Sequence, residues 1–226
     1  NRRMVLLPTS RLINRGASAP HKGKKMIRSC EYDQSVILKN IMELCGVYQF
    51  DADISYGNGA FYKNIPQPLL KFDIDPQLDG VTEASSTELP VDDASLQSLV
   101  FDPPFMTYVR AGRNGNGSMI MAKRFGGYWR YDELEDHYRD TLEESARVLK
   151  RKGVMVFKCQ DIVHNHKLHP THIFITEWMK PWFRLKDLYV LAAKTRMPIP
   201  QKVGEKKKVQ RHARIHHSYF MVLERT

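Results

Sequence analysis

Leu99-Val100-Phe101-Asp102-Pro103-Pro104-Phe105 is the stretch that decides how the rest of the chain is read. Leu99 to Phe101 is an apolar run of the kind that forms a short buried strand. It stops at an acid followed by two prolines, which lack the backbone N–H needed to continue a ladder. Each proline also biases the residue before it toward extended backbone, so the chain leaves the sheet stiffly at Asp102. The stretch predicts a carboxylate and the neighbouring Pro103 carbonyl at the carboxyl end of a strand, with the ring of Phe105 just beyond. Ligands of open α/β sheets bind at that edge. Two acceptors beside an aromatic face suit a planar base with an exocyclic amino group: the acceptors take the N–H hydrogens while the ring stacks. The plainer alternative is a strand and a proline-rich turn with Asp102 as a cap.

The segments upstream bear on that choice. Asp33-Gln34-Ser35 can cap a helix running to Cys45 and ending at Gly46. Val47 to Ile54 reads as a strand, followed directly by Ser55-Tyr56-Gly57-Asn58-Gly59-Ala60-Phe61. Strand, acid, then Gly-x-Gly permits a tight turn and close approach of a ligand, so Gly57 and Gly59 leave room for a nucleoside-like cofactor. The run does not continue as GxGxxG, and no helix with a phosphate-binding amino end follows, which argues against a dinucleotide. Leu69 to Pro76 reads as a second strand with Asp73 placed to accept hydrogen bonds from ribose hydroxyls. Val81 to Leu89 supplies a third short strand, and Pro90 to Leu96 a turn with a single helical turn.

Downstream, Met106 to Arg130 is glycine-rich and basic, with Arg110, Lys123 and Arg124, and follows the predicted active edge as a loop able to close over a substrate. Asp132 to Lys150 has helical spacing, acids early and bases late, with Gly153 to close it. Val154 to Lys158 is a buried-strand run that brings Lys158-Cys159-Gln160-Asp161 to the same edge as Asp102. A second helix is expected over Thr171 to Phe183, then strands over Leu188 to Ala192 and Ser218 to Leu223. If those two strands pair antiparallel, Lys194 to His217 is a long loop between them. It carries Lys206, Lys207, Lys208, Arg211 and Arg214 and suits a phosphate backbone.

Composition narrows the class. The chain has 226 residues, is 42% hydrophobic and 27% charged, and carries a formal net charge of +10. Those shares are globular, and the positive excess favours a polyanion, nucleic acid before membrane. Cys30, Cys45 and Cys159 form no CxxC pair, which points to a reducing, cytoplasmic setting. No apolar run is long enough to span a bilayer, and the apolar run at the start is too short for a secretory signal. The histidines near His164 to His172 match no zinc spacing, so no metal is expected. Residues 1–28 read as a basic irregular arm and 29–226 as one α/β domain with basic loops at 106–130 and 194–217; oligomeric state is not legible.

Three ordered motifs together resemble the S-adenosylmethionine-dependent DNA amino methyltransferases of the N6-adenine/N4-cytosine type, in particular small phage and bacterial DNA methylases. Asp53-Ile54-Ser55-Tyr56-Gly57-Asn58-Gly59 is similar to that family's first cofactor motif, with isoleucine where many members have proline. Asp73 stands where its ribose-binding acid is expected, and Asp102-Pro103-Pro104-Phe105 is similar to its catalytic motif in the form associated more with adenine. Phe157 to Asp161 and His217 to Phe220 continue the likeness. The resemblance implies a class I methyltransferase (Rossmann-like) sheet, mostly parallel with an antiparallel final strand and helices on both faces. It implies S-adenosyl-L-methionine held by Asp53, Tyr56, Gly57, Gly59, Phe61 and Asp73. Ala84-Ser85-Ser86 lacks the acid that often meets the cofactor's adenine, leaving that contact to a serine, with Ser85 as the candidate, to backbone, or to another part of the chain. It also implies methyl transfer to a base amine in DNA at Asp102, Pro103, Pro104 and Phe105, with Tyr108 or Tyr128 covering the base. Lys158, with the basic residues of both loops, is then expected at the base or phosphates. The alternatives are an RNA methyltransferase acting on adenine or on the guanine amino group, an N4-cytosine DNA methyltransferase, and an inactive nucleic-acid-binding module.

Overall fold

The computed structural model describes residues 26–105, 107, 128, 130–194 and 210–226. At its centre lies β5 (Leu96–Phe101), buried at every position except Gln97. It pairs in parallel with β2 (Ala52–Asp53) on one side and β6 (Leu149–Cys159) on the other. Outward from β2 come β3 (Leu70–Asp73) and β4 (Thr82–Glu83), both parallel. On the other flank, β10 (His217–Arg225) runs antiparallel between β6 and β9 (Phe183–Ala192). The two-residue β1 (Cys30–Glu31) closes that flank, parallel to β9. The sheet order is β1-β9-β10-β6-β5-β2-β3-β4. This is the class I methyltransferase type of Rossmann-like sheet, with its last strand reversed.

Strand parity sorts the core into two layers. Leu99 and Phe101, with Met155, Phe157, Met221 and Leu223, face α2 (Tyr131–Val148) and α3 (Thr171–Trp178), which contribute Leu134, Tyr138, Leu142 and Ile175. The intervening Val100, Val156, Phe220 and Val222 face α1 (Gln34–Cys45), which contributes Ile37, Leu38 and Ile41. The helices therefore lie on both faces. Phe101 meets Phe157 edge-on at 4.9 Å and Tyr138 at 6.0 Å, contacts worth about 0.5–1.5 kcal/mol each beyond their buried area.

Several expected boundaries move. Val47 to Ile54 contributes only Ala52–Asp53 to the sheet, and Val81 to Leu89 only Thr82–Glu83. Residues 90–95 form turns without a helical turn, and Leu96 already belongs to β5. The helix starting at Thr171 ends at Trp178, and Phe183 opens β9. An antiparallel hairpin, β7 (Ile162–His164) with β8 (Lys167–His169), and edge strand β1 carried no alternation long enough to announce them.

The largest correction is at Gly153, which does not close a helix. The helix stops at Val148, where Ala94 and Ser95 donate their N–H groups to the carbonyls of Arg147 (2.8 Å) and Val148 (2.9 Å). These bonds satisfy carbonyls that a helix end leaves open. Leu149 pairs at once with Leu96, while Val154 pairs with Ser98, so residues 150–153 bulge out of β6. Lys152 takes the left-handed conformation there (φ 64°). A Cβ on Gly153 would sit 2.8 Å from the Lys150 carbonyl oxygen and 3.1 Å from that of Gln97, both backbone atoms with little freedom to yield. Gly153→Ala is therefore expected to destabilise the fold by about 1–3 kcal/mol, read as a lower urea midpoint with unchanged slope.

Candidate active site

The carboxyl ends of β2, β3, β5 and β6 bring Asp53, Asp73, Asp102 and Lys158 to one edge. The chain leaving β2 turns through Gly57 (φ 57°) and Gly59 (φ 72°), both left-handed, a conformation that glycine adopts without strain. A Cβ at Gly57 would meet nothing within 4 Å, so the backbone there borders open space; at Gly59 it would meet Tyr56 Oη at 2.6 Å. Asp73 fixes this turn: its Oδ2 accepts the Gly57 N–H at 2.7 Å and its Oδ1 the Asp75 N–H at 2.9 Å.

Asp53 is 1% exposed. Its Oδ2 accepts from Tyr62 Oη at 2.6 Å, and its Oδ1 from the Ser55 N–H at 2.7 Å and the Ser55 hydroxyl at 3.3 Å. Burial pushes its pKa up to about 7, against those hydrogen bonds and with the help of nearby Asp102. The same burial, with Asp53 alongside, raises the Tyr62 phenol well above its ordinary range. Ser55 Oγ also accepts the backbone N–H of Asp102 at 2.7 Å, tying the glycine turn directly to the Asp-Pro-Pro-Phe exit. Asp102 Oδ2 takes a bond from Lys158 Nζ at 3.0 Å, and Lys158 also donates to Gln34 Oε1 at 2.9 Å, at the first residue of α1. Ser55, Tyr62 and Gln34 escaped the sequence reading, because polar residues in a loop or a helix start carry no pattern that names their partner.

Other expected residues occupy different surroundings. Pro103 is buried, and the Pro104 carbonyl accepts from Tyr138 Oη at 3.2 Å. Phe105 is half-buried against the α2-side core. Tyr56 is buried, stacked on Tyr62 and hydrogen-bonded to Gln67. Phe61 lies in the α1-side core beside Phe220, with Lys158 Nζ 5.4 Å from its ring centre. Ser85 Oγ pairs with Thr87 Oγ1 at 2.8 Å within its own turn, while Ser86 reaches His137 Nε2 at 2.7 Å. Tyr128 is hydrogen-bonded to His137. Arg211 and Arg214 are exposed on the approach to β10. Tyr108, Arg110, Lys123, Arg124, Lys206 and Lys207 lie outside the described residues, as do residues 1–25 of the basic arm. Among the described residues no helix is long and apolar enough to cross a membrane, and no group of three or more acidic, histidine or cysteine side chains could hold a metal.

No family model matches the chain, and no curated protein does. Among solved structures it is similar to the N-methyltransferase NodS of Bradyrhizobium japonicum WM9, at 8% identity over 85% of this chain and 93% of that one, with a TM-score of 0.48. It is similar to a SAM-dependent methyltransferase of Archaeoglobus fulgidus, at 13% identity over 85% and 94%, with a TM-score of 0.44. It is also similar to TTHA0409 of Thermus thermophilus, described as a candidate DNA modification methylase, at 16% identity over 59% and 47%, with a TM-score of 0.38. TTHA0409 has also been solved with S-adenosyl-L-methionine. The chain spans about half the length of TTHA0409.

The buried acid makes stability depend on pH in a defined direction. Folded, Asp53 keeps its proton up to about pH 7; unfolded, the carboxyl loses it from its ordinary value of 3.8. Folding stability therefore falls as pH rises between those values and levels off above the upper one. Asp53→Asn, which can still accept from the Ser55 N–H and donate to Tyr62, removes this component. Urea unfolding at pH 5 and pH 8 should show the wild-type protein losing more stability than the variant over that interval; equal losses would count against a buried, proton-retaining Asp53.

Proposed function

We propose that this chain is an S-adenosyl-L-methionine-dependent methyltransferase acting on the exocyclic amino group of a base in nucleic acid, with DNA and adenine N6 as first choices. The observation that carries the reading is the 2.7 Å bond from the Asp102 N–H to Ser55 Oγ. It ties the Asp102 backbone to Ser55, two residues before Gly57, which supports a donor bound beside the glycine turn within reach of the Asp-Pro-Pro-Phe exit.

The residues present fit the donor: open space lies beside Gly57, and the Asp73 carboxylate, with one bond on each oxygen, retains lone pairs for ribose hydroxyls. When bound, S-adenosyl-L-methionine supplies a methyl group already activated on a sulfonium. The protein's share is then orientation and charge placement. Asp102 and the Pro103 carbonyl accept the two N–H hydrogens of the target amine and aim its lone pair. Phe105 supplies an apolar face beside them, and Tyr128 a second ring close by. Exposed Arg211 and Arg214, with the basic loops, offer phosphate contacts. The net charge of +10 favours nucleic acid over a small neutral substrate.

Tritium transfer from labelled S-adenosyl-L-methionine to duplex DNA, single-stranded DNA and structured RNA tests the reading. Asp102→Ala is expected to lower transfer by at least ~100-fold while the cofactor dissociation constant, measured by calorimetry, stays within about threefold of wild type. Full transfer by the variant removes Asp102 from the reaction. Absence of cofactor binding by the wild-type protein defeats the proposal as a whole.

A further inference from the structure

The ammonium of Lys158 is held on several sides. It donates to Asp102 Oδ2 and Gln34 Oε1, and lies 5.4 Å from the ring centre of Phe61 and 5.5 Å from that of Phe220. Only 12% of the side chain is exposed. The aromatic faces favour the cation, and the two acceptors fix its head, so little further order is needed when a substrate arrives. An ammonium has three N–H groups, and the two bonds leave one available. Among the described residues, Asp102 Oδ1 accepts from no side chain, since Lys158 bonds to Oδ2. The edge thus presents an acceptor and a donor side by side.

That pair matches one class of base edge. In adenine and cytosine the exocyclic amine, a donor, adjoins a ring nitrogen that accepts: N6 with N1, and N4 with N3. In guanine the N2 amine adjoins N1–H, itself a donor, on the Watson–Crick edge; its other neighbour, N3, accepts but lies on the sugar side, where the nucleoside's own ribose crowds the approach. We infer that Lys158 is a specificity-determining residue that donates to the ring nitrogen beside the target amine, admitting adenine or cytosine and rejecting guanine. Guanine presented by its Watson–Crick edge would set its N1–H against the ammonium, leaving a desolvated donor unpaired on each side, the arrangement that discriminates most strongly. The inference rests on the reading of Asp102 as acceptor for the target amine. Of the two places expected for Lys158, base or phosphate, it selects the base and a particular atom of it, and it moves Phe61 from the cofactor to the wall that holds Lys158.

The full chain is incubated with labelled S-adenosyl-L-methionine and either unmethylated genomic DNA or total RNA, and the products are digested to nucleosides. Label in N6-methyladenine or N4-methylcytosine is expected. Label in N2-methylguanine overturns the role of Lys158 while leaving an amine methyltransferase standing; label in no base overturns both. A second arm uses an oligonucleotide methylated by the wild-type protein, with the target adenine exchanged for 1-deazaadenine, or a target cytosine for 3-deazacytosine. Removing the ring nitrogen should lower wild-type kcat/KM about tenfold or more, and Lys158→Met should lower it by a similar factor on the natural base. The two changes together should cost no more than either alone, because they remove the same bond. Losses that multiply overturn the contact.

Discussion

The bond between the Asp102 N–H and Ser55 Oγ is the constraint on which the whole edge depends. Parallel strands in register, with Asp53 opposite Val100, end at the same level, so one short hydroxyl can span the two exits. Ser55 is itself held by Asp53, a buried acid that Tyr62 also grips. The glycine turn and the proline exit are therefore tied to each other through Ser55.

Three acids at one edge would repel if left bare. Each is answered differently. Asp53 takes a phenol and a serine and retains its proton to about pH 7; Asp73 takes two backbone N–H groups; Asp102 takes the lysine of the next strand. Only the third answer uses a full charge, and it falls on the acid nearest the expected chemistry. Strand parity explains why: Val156 and Val100 face α1, and Lys158, two residues on, shares that side with Phe220 and the first residue of α1. The alternation that builds the core also aims the ammonium.

Much of this was legible locally. A helix with Asp33 as its cap, the apolar strand before Asp102 and the Gly-x-Gly turn follow from short-range patterns and are present, and so is the reversed last strand that the family resemblance implied. Gly153 misled because a basic run ending in glycine is the usual signature of a helix end, whereas here the glycine lies in a bulge against two carbonyls. The hairpin after Asp161 was missed because three-residue strands rich in histidine carry no period.

Short-range chemistry is enough to say that prolines end β5 at Asp102, that glycines turn the chain after Asp53, and that the chain carries a large positive excess. It says nothing about which acid meets which donor. Gln34 and Lys158 are 124 residues apart, and Asp102 and Ser55 are 47 apart. Such pairs come into contact only when the parallel register aligns the strand ends and α1 packs against the sheet beside them, because a side chain reaches only a few ångströms beyond its own backbone.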